Sequence, residues 1–522
     1  MSRRARAAFC AAVSFACAPI EDEVFAPVLL AAGAPLSLRE DAGAVDVVLR
    51  LRQPARTPLV VDYEMIGAEA QNACPVPDFR AAAGRLEWPV GAIEARLRVW
   101  VEDDDLAELD ERFVLRLASP AGVVSLNAEL ELSIEDDERS AIVDAREHGV
   151  RPGAAGDQAL PLQAALDAAG ALGRAVVVVA PGDYDVSSVS IAPGTTLSGR
   201  GARFHRPAGA AVDVVSLRVE HAGAEPSAPT LIEGLVIDGR REQQGPFRER
   251  ERELAHLVSV AGDRERGGRV RATIEDVLLA SGTASGVWIG SDADVDLCDL
   301  VASELWRDAV TIVGGASDVR LKGLDATASE GTGLWIGARL PGFGGSLRVE
   351  AELDDVQIGA GDVEIEAAGG SEIAVRGLTM TRPPLRIEAP DGTLRIADSL
   401  LMVGVASADH DYFGRLRDVE ITGSTLVVSE TAASGALSEE ARSLAAVTVR
   451  DAALALGPAA ATGRLLLDNC RFELASDVEP DDSAYAVQSS AAGFTTLIRA
   501  SSLGAGFAGW FAPECADCSL EP

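Results

Sequence analysis

Small turn-forming residues recur along most of this chain at a nearly fixed interval, and that interval limits what the chain can fold into. Gly234, Asp276, Asp299, Gly323, Asp355, Gly377, Asp398, Gly423 and Asn469 each interrupt a strand-like aliphatic run. From Asp276 onward the steps are 23, 24, 32, 22, 21, 25 and 46 residues, the last being about two periods. The step of 32 carries an inserted Gly-rich stretch, Gly337-Ala-Arg-Leu-Pro-Gly-Phe-Gly-Gly345. A period near 23 made of strands and turns predicts coils that stack on one another, because a single coil cannot bury its own apolar face. Composition agrees. The chain is 48% hydrophobic but only 4% aromatic, with 51 glycines, which suits many short aliphatic strands.

The repeat domain is expected over 141–475. It opens with Ile142-Val-Asp-Ala-Arg-Glu-His-Gly149, followed by an Ala-rich helix from Ala159 to Leu172. Asp157 is the candidate cap of that helix, and Leu162, Ala165, Leu166 and Ala169 form its apolar face. A buried strand, Ala175 to Ala180, comes next, then Pro181-Gly-Asp-Tyr184 and Ile191-Ala-Pro-Gly-Thr-Thr-Leu-Ser-Gly-Arg-Gly201. This order resembles the capped start of pectin-lyase-like right-handed parallel β-helices, in the pectate-lyase and tailspike style. The sequence departs from that pattern at Arg151-Pro-Gly-Ala-Ala-Gly-Asp157, which keeps one late Asp but lacks the Asp-Gly and the paired acid. The resemblance therefore implies the fold and carries no activity through that loop. The fold hosts lyases, hydrolases, epimerases, adhesins and scaffolds. The tail, 476–522, loses the rhythm and is expected to cap the open end.

Residues 25–138 read differently. Alternation of period two in Val45–Leu51, Leu59–Tyr63, Ala95–Val101, Phe113–Leu117 and Leu130–Ile134 predicts an all-β sandwich. Between 21 and 138 there are 25 acidic residues against 10 basic, clustered at strand ends. Such clusters repel unless a cation neutralises them, and hard oxygen donors in this number suit Ca²⁺, which takes six to eight. The segment resembles the Calx-beta domain through Glu40-Asp-Ala-Gly43, Asp78-Phe79, Leu86-Glu-Trp-Pro-Val-Gly91, Val101-Glu-Asp-Asp-Asp-Leu-Ala-Glu-Leu-Asp-Glu-Arg-Phe113 and Ile134-Glu-Asp-Asp137. The resemblance implies calcium held at one end of the sandwich. Its ligands would be Glu40, Asp78, Asp103, Asp104, Glu108, Glu111, Asp136 and Asp137.

The chain as a whole carries a formal net charge of −35, and Lys322 is its one lysine. A field of that sign argues against nucleic acid as a partner, since phosphates need a basic face. Arg3, Arg4 and Arg6, then the apolar Ala7–Ile20, then Glu21-Asp-Glu23 predict an export signal over 1–20. Cys17 follows Ser14-Phe15-Ala16, which resembles a lipobox in the cysteine and the small residue before it and departs at Phe15. Membrane attachment is expected only through a lipid at Cys17. Cleavage there leaves Cys74, Cys298, Cys470, Cys515 and Cys518, an odd number, with Cys515-Ala-Asp-Cys518 the candidate for a local disulfide.

Stacked coils predict columns of outward side chains. Aligning Val287-Trp-Ile289, Val310-Thr-Ile312, Leu334-Trp-Ile336, Val363-Glu-Ile365 and Leu385-Arg-Ile387 puts Trp288, Thr311, Trp335, Glu364 and Arg386 in one column. Rungs are ~4.8 Å apart, so the two indoles would lie ~10 Å apart, near the repeat of a β-linked disaccharide. Trp288, Trp335 and Arg386 are thus the candidate polysaccharide-binding residues, with packing under a loop as the alternative. A second column is expected to hold Glu275, Asp296, Arg320, Lys322, Glu352, Asp354, Arg376 and Arg395. It reads either as a salt-bridge ladder or as a site where Lys322 or Arg376, helped by Asp354, abstracts a proton beside a uronate carboxylate. None of the five histidines has metal spacing. Asp409-His410-Asp411-Tyr412 faintly resembles the Asp-Pro-His-Asp of alginate epimerases.

The expected protein is an exported, calcium-binding one, extracellular or in the cell envelope. Its β-helix is expected to bind polysaccharide or another cell-surface component. Two alternatives stay open: a polysaccharide lyase or epimerase, and a purely structural stalk.

Overall fold

The structure is a computed structural model. It describes residues 29–404, apart from 32–35, 52, 67–78, 81–82, 119–128, 210–216, 222–226, 245–254, 263–267, 314–316, 329–332, 337–348, 359–362, 367–371, 381–384 and 389–392, together with short strand segments between 413 and 520. The expected export signal with Cys17, the inserted loop 337–345, the Asp409–Tyr412 motif, Asp78 and the Cys515–Cys518 pair lie outside the described residues. The chain divides into two units, Met1–Asp104 with Asp110–Asp137, and Asp105–Leu109 with Glu138–Pro522. Among the described residues, no helix is long and apolar enough to cross a membrane.

The first unit is the expected β-sandwich. One sheet has three antiparallel strands, Leu29–Ala31, Ala44–Leu51 and Glu94–Trp100. The other runs in the order Leu36–Arg39, Glu129–Glu135, Glu111–Ala118, Leu59–Ile66, Ala83–Trp88. All five strands read from alternation are present. Glu94–Trp100 buries every second residue, placing Ala95, Leu97 and Val99 in the core. Phe79 stacks on Phe113 at 4.3 Å between ring centroids, and both are buried with Trp88. Pairing of Leu36–Arg39 with Glu129–Glu135 is parallel, with Arg39 opposite Glu135.

The second unit is a right-handed parallel β-helix. One sheet stacks nine short strands, among them Val258–Gly262, Val287–Ile289, Val310–Ile312 and Leu334–Ile336, all in parallel register. Several strands of the other sheet are longer and turn a corner. Ala293–Ser303, for example, pairs with Val270–Glu275 before its bend and with Leu278–Ala280 after it. The corners fall on the recurring residues of the sequence. Gly234, Asp276, Asp299, Gly323, Asp355, Gly377 and Asp398 all have φ between 49° and 71°. That left-handed conformation puts a Cβ against the following carbonyl, and glycine and aspartate are among the residues that adopt it most readily. At Gly323 there is a second reason: a Cβ would strike the carboxylate of Asp299 on the preceding rung.

The helix Ala159–Leu172 closes the start of the stack. Leu162, Ala165, Leu166 and Ala169 are each at most 1% exposed, as its apolar face requires. Asp157 caps it from two residues ahead, its Oδ1 accepting the N–H of Ala159 at 2.9 Å and that of Ser187 at 3.0 Å. The core of the coil is a continuous aliphatic column, from Val177 and Leu197 through Ile274, Val287 and Leu321 to Val375 and Ile396. Cys298, buried, is disulfide-bonded, and every other cysteine lies outside the described residues.

Candidate functional site

Strand pairing in the sandwich gathers acids at one end. The parallel pair leaves the ends of Leu36–Arg39 and Glu129–Glu135 at the same edge, so the turns that follow, Glu40–Ala42 and Asp136–Glu138, meet. Antiparallel pairing of Glu111 with Ile134 brings Glu111 to that edge. The N–H of Val101 donates to the carbonyl of Gly43 at 3.0 Å, which brings the start of the loop carrying Asp103 and Asp104 there too. Glu40, Asp137 and Glu138 each offer an oxygen within 4.8 Å of the others. Glu40 is only 2% exposed. Three converging carboxylates call for positive charge, part of it from Arg174, 3.8 Å from Glu138, and an all-oxygen set also fits a hard cation such as Ca²⁺. Arg39 supplies another part of that charge. It bonds Asp41 through two nitrogens at 2.8 Å and lies 3.8 Å from Asp137. Its hydrogen bond holds the Asp41 carboxyl below the usual range.

Of the eight residues expected as ligands, Glu40 and Asp137 are in this group, and Glu138 joins it unforeseen. Asp103, Asp104, Glu111 and Asp136 are described but outside the 4.8 Å group, and Glu108 is buried in the segment Asp105–Leu109.

The column on the nine-stranded sheet has the register read from sequence: Trp288, Thr311, Trp335, Glu364 and Arg386 stand on successive rungs, with Ser259 before them. Exposure departs from expectation. Thr311 is 5% exposed, because its hydroxyl donates to Asp308 Oδ2 at 2.7 Å and receives a bond from the Ser285 hydroxyl at 2.7 Å. Trp288 is half-buried, and His256 stacks against it at 5.6 Å with 18° between the rings. Nothing in the sequence pointed to His256, a lone histidine with no metal or catalytic spacing. For Trp335 and Arg386 the backbone register alone is described.

The expected single charged column is two columns. Asp296, Arg320, Glu352, Ala374 and Arg395 form one, and Glu275, Cys298, Lys322, Asp354 and Arg376 the other. The two are offset by two residues along each strand, a distinction the approximate period could not make. Arg320 forms a two-pronged pair with Asp296, and Arg376 lies 3.5 Å from Asp398. Lys322 and Asp354 are neighbours on adjacent rungs but belong to a different sheet from Trp288. An open groove of about 690 Å³ runs beside the first column, lined by Arg271, Asp294, Asp318, Arg320, Glu372 and Arg395. Burial pushes the Asp294 carboxyl up, opposed by Arg269 at 3.7 Å. Lys322, Asp354 and Arg376 do not line this groove.

A family model, the Calx-beta domain, matches residues 28–138. No curated protein matches the chain. Among solved structures, CBD12 from CALX1.2 is 29% identical over 22% of this chain, with a TM-score of 0.20, and the chain spans 47% of that protein's length. The Azotobacter vinelandii mannuronan C-5 epimerase AlgE4 A-module is 14% identical, covering 73% of this chain and 100% of its own, with a TM-score of 0.39. The Yersinia enterocolitica family 28 exopolygalacturonase is 12% identical, covering 95% and 96%, with a TM-score of 0.36. Residues 28–138 thus match the Calx-beta domain, and the unit that follows them is a right-handed parallel β-helix.

Proposed function

We propose that this protein is an exported or surface-attached calcium-binding protein whose β-helix binds polysaccharide. The convergence of Glu40, Asp137 and Glu138 at one end of the sandwich carries the calcium part. Bound there, Ca²⁺ would neutralise three carboxylates and join the turn after Arg39 to the turn after Glu135. That role is stiffening rather than chemistry. The glycan part rests on Trp288, an indole only half-buried on the outer side of a strand whose flanking residues, Val287 and Ile289, are fully buried. Trp335 stands in the same column two rungs on, its backbone ~10 Å away along the stack. Two aromatic faces at that spacing suit successive repeats of a β-linked chain. The lyase alternative has less support, because its candidate base Lys322 lies on another sheet from these indoles.

The test is affinity electrophoresis through gels containing a panel of neutral and acidic polysaccharides, with calcium and with chelator. Retention of the wild-type protein, lost in the Trp288→Ala/Trp335→Ala double variant with an unchanged melting temperature, is expected. Equal migration of both proteins in every gel would overturn the glycan part.

A further inference from the structure

Three features around Trp288 act together. The first is Gly290. Its φ is not in the left-handed region, so the backbone does not require glycine there. A Cβ at this position would lie 2.9 Å from both Cη2 and Cζ3 of Trp288 and 3.0 Å from the Ala261 Cβ. The missing side chain is the space in which the far edge of the indole lies.

The second feature is the His256 ring. It lies 5.6 Å from the indole centroid at 18°. Atoms in contact are about 3.5–4 Å apart, so the two rings are laterally offset and the imidazole covers only part of one face. The third feature is what holds that imidazole. The N–H of Ser285 donates to His256 Nδ1 at 3.3 Å, the Ser285 hydroxyl donates to Thr311, and Thr311 donates to the buried carboxylate of Asp308. Four polar side chains thus stand beneath a strand face where aliphatic packing would be simpler. Accepting at Nδ1 leaves the proton of a neutral imidazole on Nε2. Burial, with Arg307 and Arg206 nearby, pushes the His256 pKa down to about 3, so the ring is neutral at ordinary pH.

We propose that His256 and Gly290 form a seat that fixes the Trp288 indole as a platform for a pyranose ring, with the Nε2–H of His256 donating to a hydroxyl of that sugar at the platform's edge. This rests on the glycan-binding function proposed above and names the residues that set its geometry. A stacking face plus one neutral donor suits an uncharged pyranose, whose C–H face meets the indole while a hydroxyl accepts the bond. Because the donor is neutral, binding at this subsite is independent of pH between about 5 and 8.

The seat and the sugar are tested separately. Near-ultraviolet circular dichroism of wild type minus Trp288→Phe isolates the Trp288 band. That band is expected to weaken in Gly290→Ala, which crowds the ring, and to persist in His256→Phe, which keeps a stacked aromatic ring. Cellohexaose and xylohexaose, titrated with tryptophan fluorescence as readout, are the sugar probes. Wild type is expected to bind one of them. Gly290→Ala should lose ~10-fold in affinity, and His256→Phe, which loses the Nε2–H donor and also the Nδ1 acceptor of the Ser285 N–H, several-fold with a somewhat lower melting temperature. If Gly290→Ala folds poorly, the His256→Phe comparison still decides. A Trp288 band identical in Gly290→Ala and wild type overturns the seat. Wild-type binding that His256→Phe leaves unaltered overturns the donor. No response of the wild type to either sugar, with the band behaving as expected, overturns the pyranose platform while leaving the ring geometry in place.

Discussion

His205 Nδ1 lies 3.1 Å from Oδ2 of Asp238, its partner one rung along the coil, while its Nε2 lies 2.9 Å from Oδ1 of Asp183. The imidazole thus bridges two carboxylates, one at each ring nitrogen. The bond from His205 holds the Asp183 carboxyl below its usual 3.8. A carboxyl depressed in the folded state contributes stability above its unfolded value and loses it as pH falls through the lower folded one. Asp183 is largely exposed, so the effect is small. Melting temperature measured from about pH 5 to about pH 3 should therefore fall less steeply in Asp183→Asn than in wild type. Parallel curves would show that the pair contributes nothing to acid stability.

At the corner of the coil, Gly323 has φ +71° and faces the Asp299 carboxylate. Gly323→Ala adds a strained conformation to a contact, and a loss of about 1–3 kcal/mol is expected on thermal or urea unfolding. Asp355→Gly, at the next corner, removes a Cβ where φ is +52°, and should change stability by less than about 1 kcal/mol. A Gly323→Ala protein as stable as wild type would mean that the corner relaxes freely.

These corners were the most legible part of the sequence, because left-handed backbone narrows the choice of residue so sharply that the geometry is written at one position per coil. The helix face was legible for a related reason: Leu162, Ala165, Leu166 and Ala169 repeat at helical spacing. The outer surface was less so. Thr311 belongs to a column of outward residues yet is buried, because the turn residues Ser285 and Asp308 bond to it, and no periodicity encodes what a turn does. The charged columns merged because two outward positions on one strand differ only by two residues, within the variation of the coil length. At the sandwich end the acids were visible, but Glu138, and not Asp136, joins Glu40 and Asp137 in the group. Which carboxylates converge is set by how two turns meet after a parallel pair, and the run of acids itself does not say.

Asp299 offers a prediction of the opposite pH sign. Burial pushes its carboxyl up, opposed by Lys322 and reinforced by Asp355. A raised folded value means the charged form is disfavoured in the native state, so stability is gained as pH falls through that value. Asn tolerates the left-handed backbone, with φ +50° here. Asp299→Asn should raise the melting temperature by about 1–2 °C near neutral pH. The gain should vanish below about pH 4, where the native carboxyl is protonated as well. A constant difference at both pH values would assign the effect to packing instead of charge.

The calcium site proposed above gives variants of opposite sign. Binding to the native state alone stabilises it by about 2.7 kcal/mol when calcium is at a hundred times its dissociation constant. Glu40→Gln and Asp137→Asn each remove one of the converging charges and should weaken binding at least tenfold, lowering or abolishing the calcium-dependent rise in melting temperature. Asp103→Asn with Asp104→Asn tests whether the neighbouring loop also contributes ligands. Arg39 opposes the ion: its guanidinium lies 3.8 Å from Asp137 and pairs with Asp41. Arg39→Gln removes that competing positive charge, and Coulomb's law predicts tighter calcium binding, most clearly at low ionic strength. Isothermal titration of the three single variants and the pair decides the matter. Weaker binding in Glu40→Gln together with tighter binding in Arg39→Gln places the ion among Glu40, Asp137 and Glu138. Changes of the same sign in both would place it elsewhere.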